Sequence, residues 1–423
     1  MRFPTVIDSK NARPLLAVMF DSLVSMFQIA EAADGRWSIL WLIDRTVDDV
    51  QSSLRMLARL GTVVDITGLD VDECATRLAS YHPTGLIAFS EWWLQRAAQI
   101  GRKLGLASNS AATIECYVNK FAQREALRNA GLPVPGYWPV PSDMDGETLD
   151  QLARSITYPA IVKPQTSWGS RDAYRITDEA SLRTALGPGK RAGIDALIIE
   201  DLLADGWPRE QHPYADFVSV ESIVVDGSAN HLALTGRATL AEPFRETGNF
   251  IPANLSQQTA DAVLAHATAA IAAMGTTTGA VHTEVKLTPD GPRVIEVNGR
   301  IGGMIAELLA LGGGHSLLEI ACRVALGERL RFESLLQCPR VAYSLIGVPP
   351  IGATRLVQLT GLQELRHTPG IEEINVHRQA GDPVDWRDGY DGRLYLLYGV
   401  ADDHQVMWDV RARITDKVQA VFE

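Results

Sequence analysis

Four cysteines in 423 residues, Cys74, Cys116, Cys322 and Cys338, are too few and too scattered for a disulfide framework or a thiolate metal centre. No two stand at C-x-x-C spacing, so buried, reduced thiols in a cytoplasmic protein are the expectation. Long apolar runs are missing as well. No segment reaches the roughly 18 apolar residues of a membrane span, and residues 1–10 lack a basic start followed by an apolar stretch, which predicts a soluble, unprocessed chain. Basic residues are in deficit, 39 Lys and Arg against 51 Asp and Glu, for a formal net charge of -12. That charge repels phosphate backbones and anionic headgroups, so no nucleic acid or membrane partner is expected, and solubility is reason enough for it.

What is present is a chain that is 46% hydrophobic and 21% charged, long enough for two or three cores. From residue 14, apolar runs at 14–20, 37–43, 62–66 and 85–89 alternate with helical patterns at 22–33, 53–60 and 71–80. This order predicts a parallel sheet covered on both faces. Glu91 follows the last of these strands, where side chains line the crevice of an open α/β sheet; a solvated or helix-capping acid is the alternative. A helix at 120–129 ends at Gly131, and four prolines in 132–141 mark a domain crossing. Strands are expected at 158–164, 173–176 and 196–203, helices at 257–274 and 304–326, the latter broken at Gly312–Gly314. Residues 331–423 suggest short strands and a final helix without a catalytic cluster.

The densest chemistry lies in VHTEVKLTPDGPRVIEVNGR (281–300), two strands around a turn at Pro289, Asp290 and Gly291. Alternation puts His282, Glu284 and Lys286 on one face of the first strand, and Glu296, Asn298 and Arg300 on one face of the second. Symmetry about Asp290 pairs Glu284 with Glu296 and His282 with Asn298, with the carboxylate-bearing Cβ atoms about 5 Å apart. Like charges so placed need a cation, a shared proton or an arginine; two carboxylates and an amide oxygen suit Mg²⁺ or Mn²⁺. A solvated charged face is the plainer alternative. In YPAIVKPQTSWGSRDAYRI (158–176), Lys163 ends an apolar strand and is followed by small polar residues whose N–H groups and hydroxyls suit phosphate oxygens, although an ordinary hairpin turn has the same composition. Lys120 is a second lysine of the kind that binds phosphate.

Taken in order, these segments resemble the ATP-grasp superfamily over nearly the whole chain, most like the amino acid ligases that make dipeptides. The resemblance implies an α/β protein with the ATP-grasp fold: an N-terminal Rossmann-like preliminary domain (1–115), a small nucleotide lobe (116–200), a larger C-terminal α+β lobe with the metal site (201–330) and a C-terminal α+β subdomain (331–423). It makes Lys120 and Lys163 the phosphate lysines. Residues 165–171, with Ser167, Gly169 and Ser170, become the mobile loop over the phosphates, and Glu200, Asp201, Leu202 and Leu203 the adenine strand. Glu284, Glu296 and Asn298 become metal ligands, and Arg300, in IEVNGRIGG (295–303), holds the substrate carboxylate, with Glu91 and Gly303 beside it.

The chain departs from the family pattern in two places. Residues 204–214 form a longer insertion, leaving Asp205 and Glu210 both open as the ribose acid, and the usual asparagine-proline-arginine appears as Asn298-Gly299-Arg300.

The implied activity is ATP-dependent ligation of a small carboxylate to a small amine, amino acids being expected, through an acyl phosphate with release of ADP and phosphate. ATP and Mg²⁺ (or Mn²⁺) are the implied cofactors. No nucleophilic serine or cysteine is required. His282 is either an ionisable group near the amine or a hydrogen-bond partner of Asn298 or a metal ligand. Phe244, Arg245 and Glu246 either line the substrate pocket or lie on an exposed loop. Activation of formate or bicarbonate for a nucleotide-precursor amine, and nucleotide binding without turnover, are the alternatives. Assembly is left open, a homodimer being the commonest closed form.

Overall fold

A computed structural model describes residues 13–47, 50–141, 144–167, 169, 171–187, 196–207 and 213–423. The first four strands, β1 (Leu15–Phe20), β2 (Ser38–Ile43), β3 (Thr62–Asp65) and β4 (Gly85–Ala88), form a parallel sheet in the order β3-β2-β1-β4. Period-2 alternation divides β1 between two cores: Leu16, Val18 and Phe20 pack on one side, Ala17 and Met19 on the other. This is the doubly covered parallel sheet that the alternating pattern predicts. The helix expected from Ser22 begins only at Met26, because Ser22 has a positive φ of 65° and Ser25 supplies the N-cap oxygen to Phe27 N–H.

A small antiparallel sheet follows: β5 (Tyr137–Pro141), β6 (Ala160–Pro164), β7 (Tyr174–Ile176) and β8 (Ala196–Asp201), in the order β5-β8-β6-β7. Ala160, Val162, Leu197 and Ile199 face its own core, which leaves Ile161, Lys163 and Glu200 on the opposite side.

The remaining strands are β9 (Tyr214–Val225), β10 (Ser228–Ala238), β11 (Gly248–Ile251), β12 (Gly279–Thr288), β13 (Gly291–Asn298), β14 (Val341–Gly347), β15 (Leu356–Thr360), β16 (Ile371–Val376), β17 (Tyr395–Ala401) and β18 (Gln419–Phe422). Eight of them make one sheet, β13-β12-β9-β10-β11-β14-β17-β16, and β15 pairs with β18. On one face Val218, Val220, Leu234, Val285 and Leu287 pack against the alanine-rich helix Gln257–Ala273. The other face is polar at its centre, and beyond it becomes apolar, where Ile223 and Leu232 meet the helices Ile305–Gly313 and Leu317–Ala325. Three strands after residue 331 therefore complete the sheet, and the final helix, His404–Lys417, is followed by β18, a strand that the sequence reading did not expect. Among the described residues no single helix is long and apolar enough to cross a membrane.

β13 is an edge strand, and its exposed backbone is taken up by side chains of the helix Lys120–Asn129. Gln123 donates to Val297 C=O and accepts from Val297 N–H, both at 2.9 Å, and Arg124 donates to Ile295 C=O at 2.5 Å. An edge that would otherwise offer unpaired groups is closed by an amide and a guanidinium.

Candidate active site

The polar centre of the large sheet floors a cleft of about 1860 Å³ between it, the small sheet and the first sheet. The metal hairpin has the pairing that symmetry predicts: His282 faces Asn298 and Glu284 faces Glu296. It arises by a different route, since Thr288 pairs with Gly291 across a two-residue turn and the register shifts between Glu284 and Val285, leaving Ile295 as the extra residue. Without that bulge Glu284 would oppose Ile295; with it, both carboxylates share a face. Asn298 is 2% exposed and its Oδ1 has no hydrogen-bond partner, a buried acceptor beside two carboxylates. That oxygen-rich donor set fits a hard divalent cation.

Each carboxylate is held by a cation. Lys120 Nζ lies 2.9 Å from Glu296 and donates to Ser167 C=O at 2.7 Å, which ties the β12–β13 hairpin to the segment after β6. His282 Nε2 is 3.4 Å from Glu284, and its Nδ1 is 2.9 Å from both oxygens of Glu221. Burial alone would lower the imidazole pKa, but Glu221 and then Glu284 outweigh it and raise it to about 9. The same contact counters burial at Glu284 and brings its carboxyl down to about 2, with Arg237 and Arg300 adding to the field. In this arrangement His282 bridges the carboxylates of Glu221 and Glu284.

Lys163 and Arg124 converge on Glu200. Lys163 Nζ is at 2.8 Å, Arg124 Nε at 2.9 Å, and Arg124 is 2% exposed. Burial would raise the Glu200 carboxyl, yet Arg124 and Lys163 hold it at about 2. Burial also depresses Lys163, which Glu200 opposes and Arg124 and Lys120 reinforce. The Glu200 side chain is thus committed to Lys163 and Arg124. Asp201 accepts from Gly136 N–H at 3.1 Å, while Leu202 and Leu203 face the cleft. Ser167 and Gly169 line the cleft; Ser170 lies outside the described residues, as does Glu210. Asp205, the other acid considered for the ribose, is 2.8 Å from Lys286, which also holds Asp216 at 2.6 Å.

Glu91, in the first turn of the helix Glu91–Lys103, is 2.6 Å from Arg300, so two residues 209 apart in sequence meet as an ion pair in the cleft. A Cβ on Gly303 would meet nothing within 4 Å, whereas one on Gly299 would stand 2.3 Å from the Tyr117 ring. The glycine in place of the family's proline admits that ring.

With this geometry in place, residues 156–307 match the family model of an ATP-grasp domain. The matching segment contains Lys163, Glu200, the hairpin of Glu284 and Glu296, and Arg300. Among its relatives is an uncharacterized protein, y4rH, of Sinorhizobium fredii, 26% identical over 80% of this chain and 68% of that protein. Another is human carnosine synthase 1, 24% identical over 80% of this chain but only 41% of that much longer protein. The ATP-grasp fold extends over nearly the full length: an L-amino acid ligase from Bacillus licheniformis superposes with a TM-score of 0.77, at 19% identity, covering 98% of this chain and 100% of that one.

Several residues of this ATP-grasp site escaped the sequence reading. Glu221 on β9 faces His282 across the sheet, and Ser219 Oγ donates to it at 2.7 Å. Arg237 on β10 reaches Ser219 Oγ and Glu246, both at 3.0 Å. The alternation Ser219, Glu221 within an otherwise apolar strand was the available signal. Phe244, Arg245 and Glu246 do line the cleft, with Arg245 fixed by the carbonyls of Glu242 and Pro349. Residues 331–423, in which the sequence shows no catalytic cluster, supply Arg378, Tyr390, Arg393 and Tyr398 to the cleft's far wall. Gly169 C=O accepts from Tyr390 N–H at 3.1 Å, so the phosphate loop rests on that wall.

Proposed function

We propose that this ATP-grasp protein joins a small carboxylate to a small amine, both amino acids, by way of an acyl phosphate. The observation that carries the reading is the convergence of Glu284, Glu296 and the orphaned Asn298 oxygen with Lys120, Lys163 and Arg300 on one cleft. Relatives named as an L-amino acid ligase and a carnosine synthase favour amino acids as the substrates.

Lys120 and Lys163 hold the phosphates as point charges, and the loop around Gly169 closes over them. Glu284, Glu296 and Asn298 would hold the divalent cation, which supplies charge neutralisation at the phosphates when bound. Arg300, released from Glu91 or shared with it, orients the donor carboxylate and stabilises charge on the transferring phosphoryl group. A carboxylate oxygen attacks the γ-phosphorus, the bond to the β–γ bridging oxygen breaks, and ADP departs. The neutral amine then attacks the acyl carbon, the C–O bond to phosphate breaks, and the amine gives up its proton to solvent.

The test is ADP and phosphate release from ATP and Mg²⁺ across single amino acids and pairs, with mass spectrometry of each mixture. A product one water lighter than the summed substrates, formed with ADP, supports the reading. Turnover that needs formate or bicarbonate and ignores amino acids overturns it, as does tight ATP binding with no turnover for any acid and amine.

A further inference from the structure

Five cations on the floor and the nucleotide side of the cleft, Lys120, Lys163, Arg237, Lys286 and Arg300, each have a carboxylate within 3.0 Å. Arg378 and Arg393, on the wall built by the C-terminal segment, are held differently. Arg378 meets the carbonyls of His377 and Asp391 at 3.2 and 3.1 Å. Arg393 meets Tyr390 C=O at 3.0 Å, its Nε is buried without a partner, and its nearest carboxylate, Asp391, stands 3.9 Å away and half-exposed. Its guanidinium carbon lies 4.1 Å from the Tyr390 ring centroid, which fixes the plane of the fork.

We infer that Arg393, supported by Arg378, is the anchor for the free carboxylate of the amine-bearing substrate, so that the acceptor is an amino acid or short peptide and not a simple amine. The inference rests on the ligase reading above and adds to it the residue that selects an acceptor with a free carboxylate. A guanidinium held flat on an aromatic ring, with part of its donor edge unsatisfied, is complementary to a planar carboxylate. The neighbouring His377 is lowered to about 4, first by burial and then by Arg393 and Arg378. A donor carboxylate has Arg300 for a partner, so a second carboxylate site on the opposite wall sorts the two substrates by which end each presents. The other anion that this wall could meet is the nucleotide's phosphate chain, because Gly169 of the phosphate loop touches Tyr390.

The experiment takes a donor and acceptor pair ligated by the wild-type protein and compares the free-acid acceptor with its carboxamide, for wild type, Arg393→Met and Arg393→Lys. In wild type the carboxamide should lose about 10- to 100-fold in kcat/KM for the acceptor. Arg393→Met should lose the same amount with the free acid and little more with the carboxamide. Arg393→Lys should recover part of it, and KM for ATP should stay within about twofold throughout. Equal use of acid and carboxamide by wild type overturns the anchor while leaving the ligase reading intact. So does an Arg393→Met variant in which KM for ATP rises and acceptor selectivity is kept, an outcome that assigns the arginine to phosphate. If wild type ligates no pair at all, the ligase reading fails first and takes the anchor with it.

Discussion

Replacing Glu200 by glutamine tests whether the small sheet's acid exists to hold a lysine in charge. The substitution is isosteric and keeps one oxygen acceptor, but it leaves Arg124 and Lys163 facing each other without the carboxylate that now lies 2.9 and 2.8 Å from them. Breaking one partner out of a buried ionic cluster costs roughly 3–5 kcal/mol, and the retained amide oxygen places this variant near 3. For a unit of this size that is a fall of about 6–12 °C in the thermal midpoint. Function should fail in a particular way. Burial, Arg124 and Lys120 already push the Lys163 pKa down and Glu200 opposes them, so removing the carboxylate lowers it further. Calorimetric titration with ATP should therefore show weaker binding, by about 10-fold, that worsens as pH rises and recovers as pH falls and the ammonium re-forms. A variant with an unchanged midpoint and pH-independent, wild-type ATP affinity would refute the argument, because the carboxylate would then be dispensable to both partners.

Three further outcomes follow from the same geometry. Glu296→Gln should abolish metal-dependent turnover with the fold intact by circular dichroism; unchanged turnover sinks the metal assignment. Gly389 has φ of 58°, and a Cβ there would stand 2.0 Å from Gly169 C=O, so Gly389→Ala should undock the phosphate loop at a cost of about 1–3 kcal/mol, seen as faster proteolysis of residues 165–171 and a raised KM for ATP. His377, lowered to about 4, favours its neutral form in the folded state, so the unfolded chain binds the extra proton between pH 6.5 and 4. Its contribution is present above pH 6.5 and lost as pH falls toward 4, and His377→Gln should flatten the acid limb of denaturant midpoints measured over that range; an unaltered slope shows that other groups set it.

The parts of this protein that could be read from sequence are those where local period and function coincide. Parallel strands near the N-terminus are short apolar runs separated by helices, and Glu284 and Glu296 lie on one face because a strand repeats every two residues. Even there the pairing depends on a bulge at Ile295 that no residue type announces. What could not be read is what topology alone creates. Glu221 reaches His282 from 61 positions away, Arg300 reaches Glu91 from 209, and the Arg378–Arg393 wall joins the cleft only because β14, β17 and β16 extend a sheet begun a hundred residues earlier. Such residues carry no motif of their own; each looks like an ordinary surface charge until a neighbouring strand is placed beside it. Glu200 shows a different limit: its strand is legible in the sequence, but its carboxylate meets Arg124, a residue on a helix that the motif does not include.

The side chains of Gln123 and Arg124 that close the edge of β13 also make a mechanical coupling. Both belong to the helix that starts at Lys120, and they grip the two peptide units on either side of Glu296. Any rotation of that helix, as when phosphates draw Lys120 and Lys163 together, pulls directly on the backbone carrying Glu296 and Asn298. On the proposed function, nucleotide and metal would then share a single lever, and Gln123→Ala should leave the binding of each alone near wild type in calorimetric titration while weakening the effect of one on the affinity for the other.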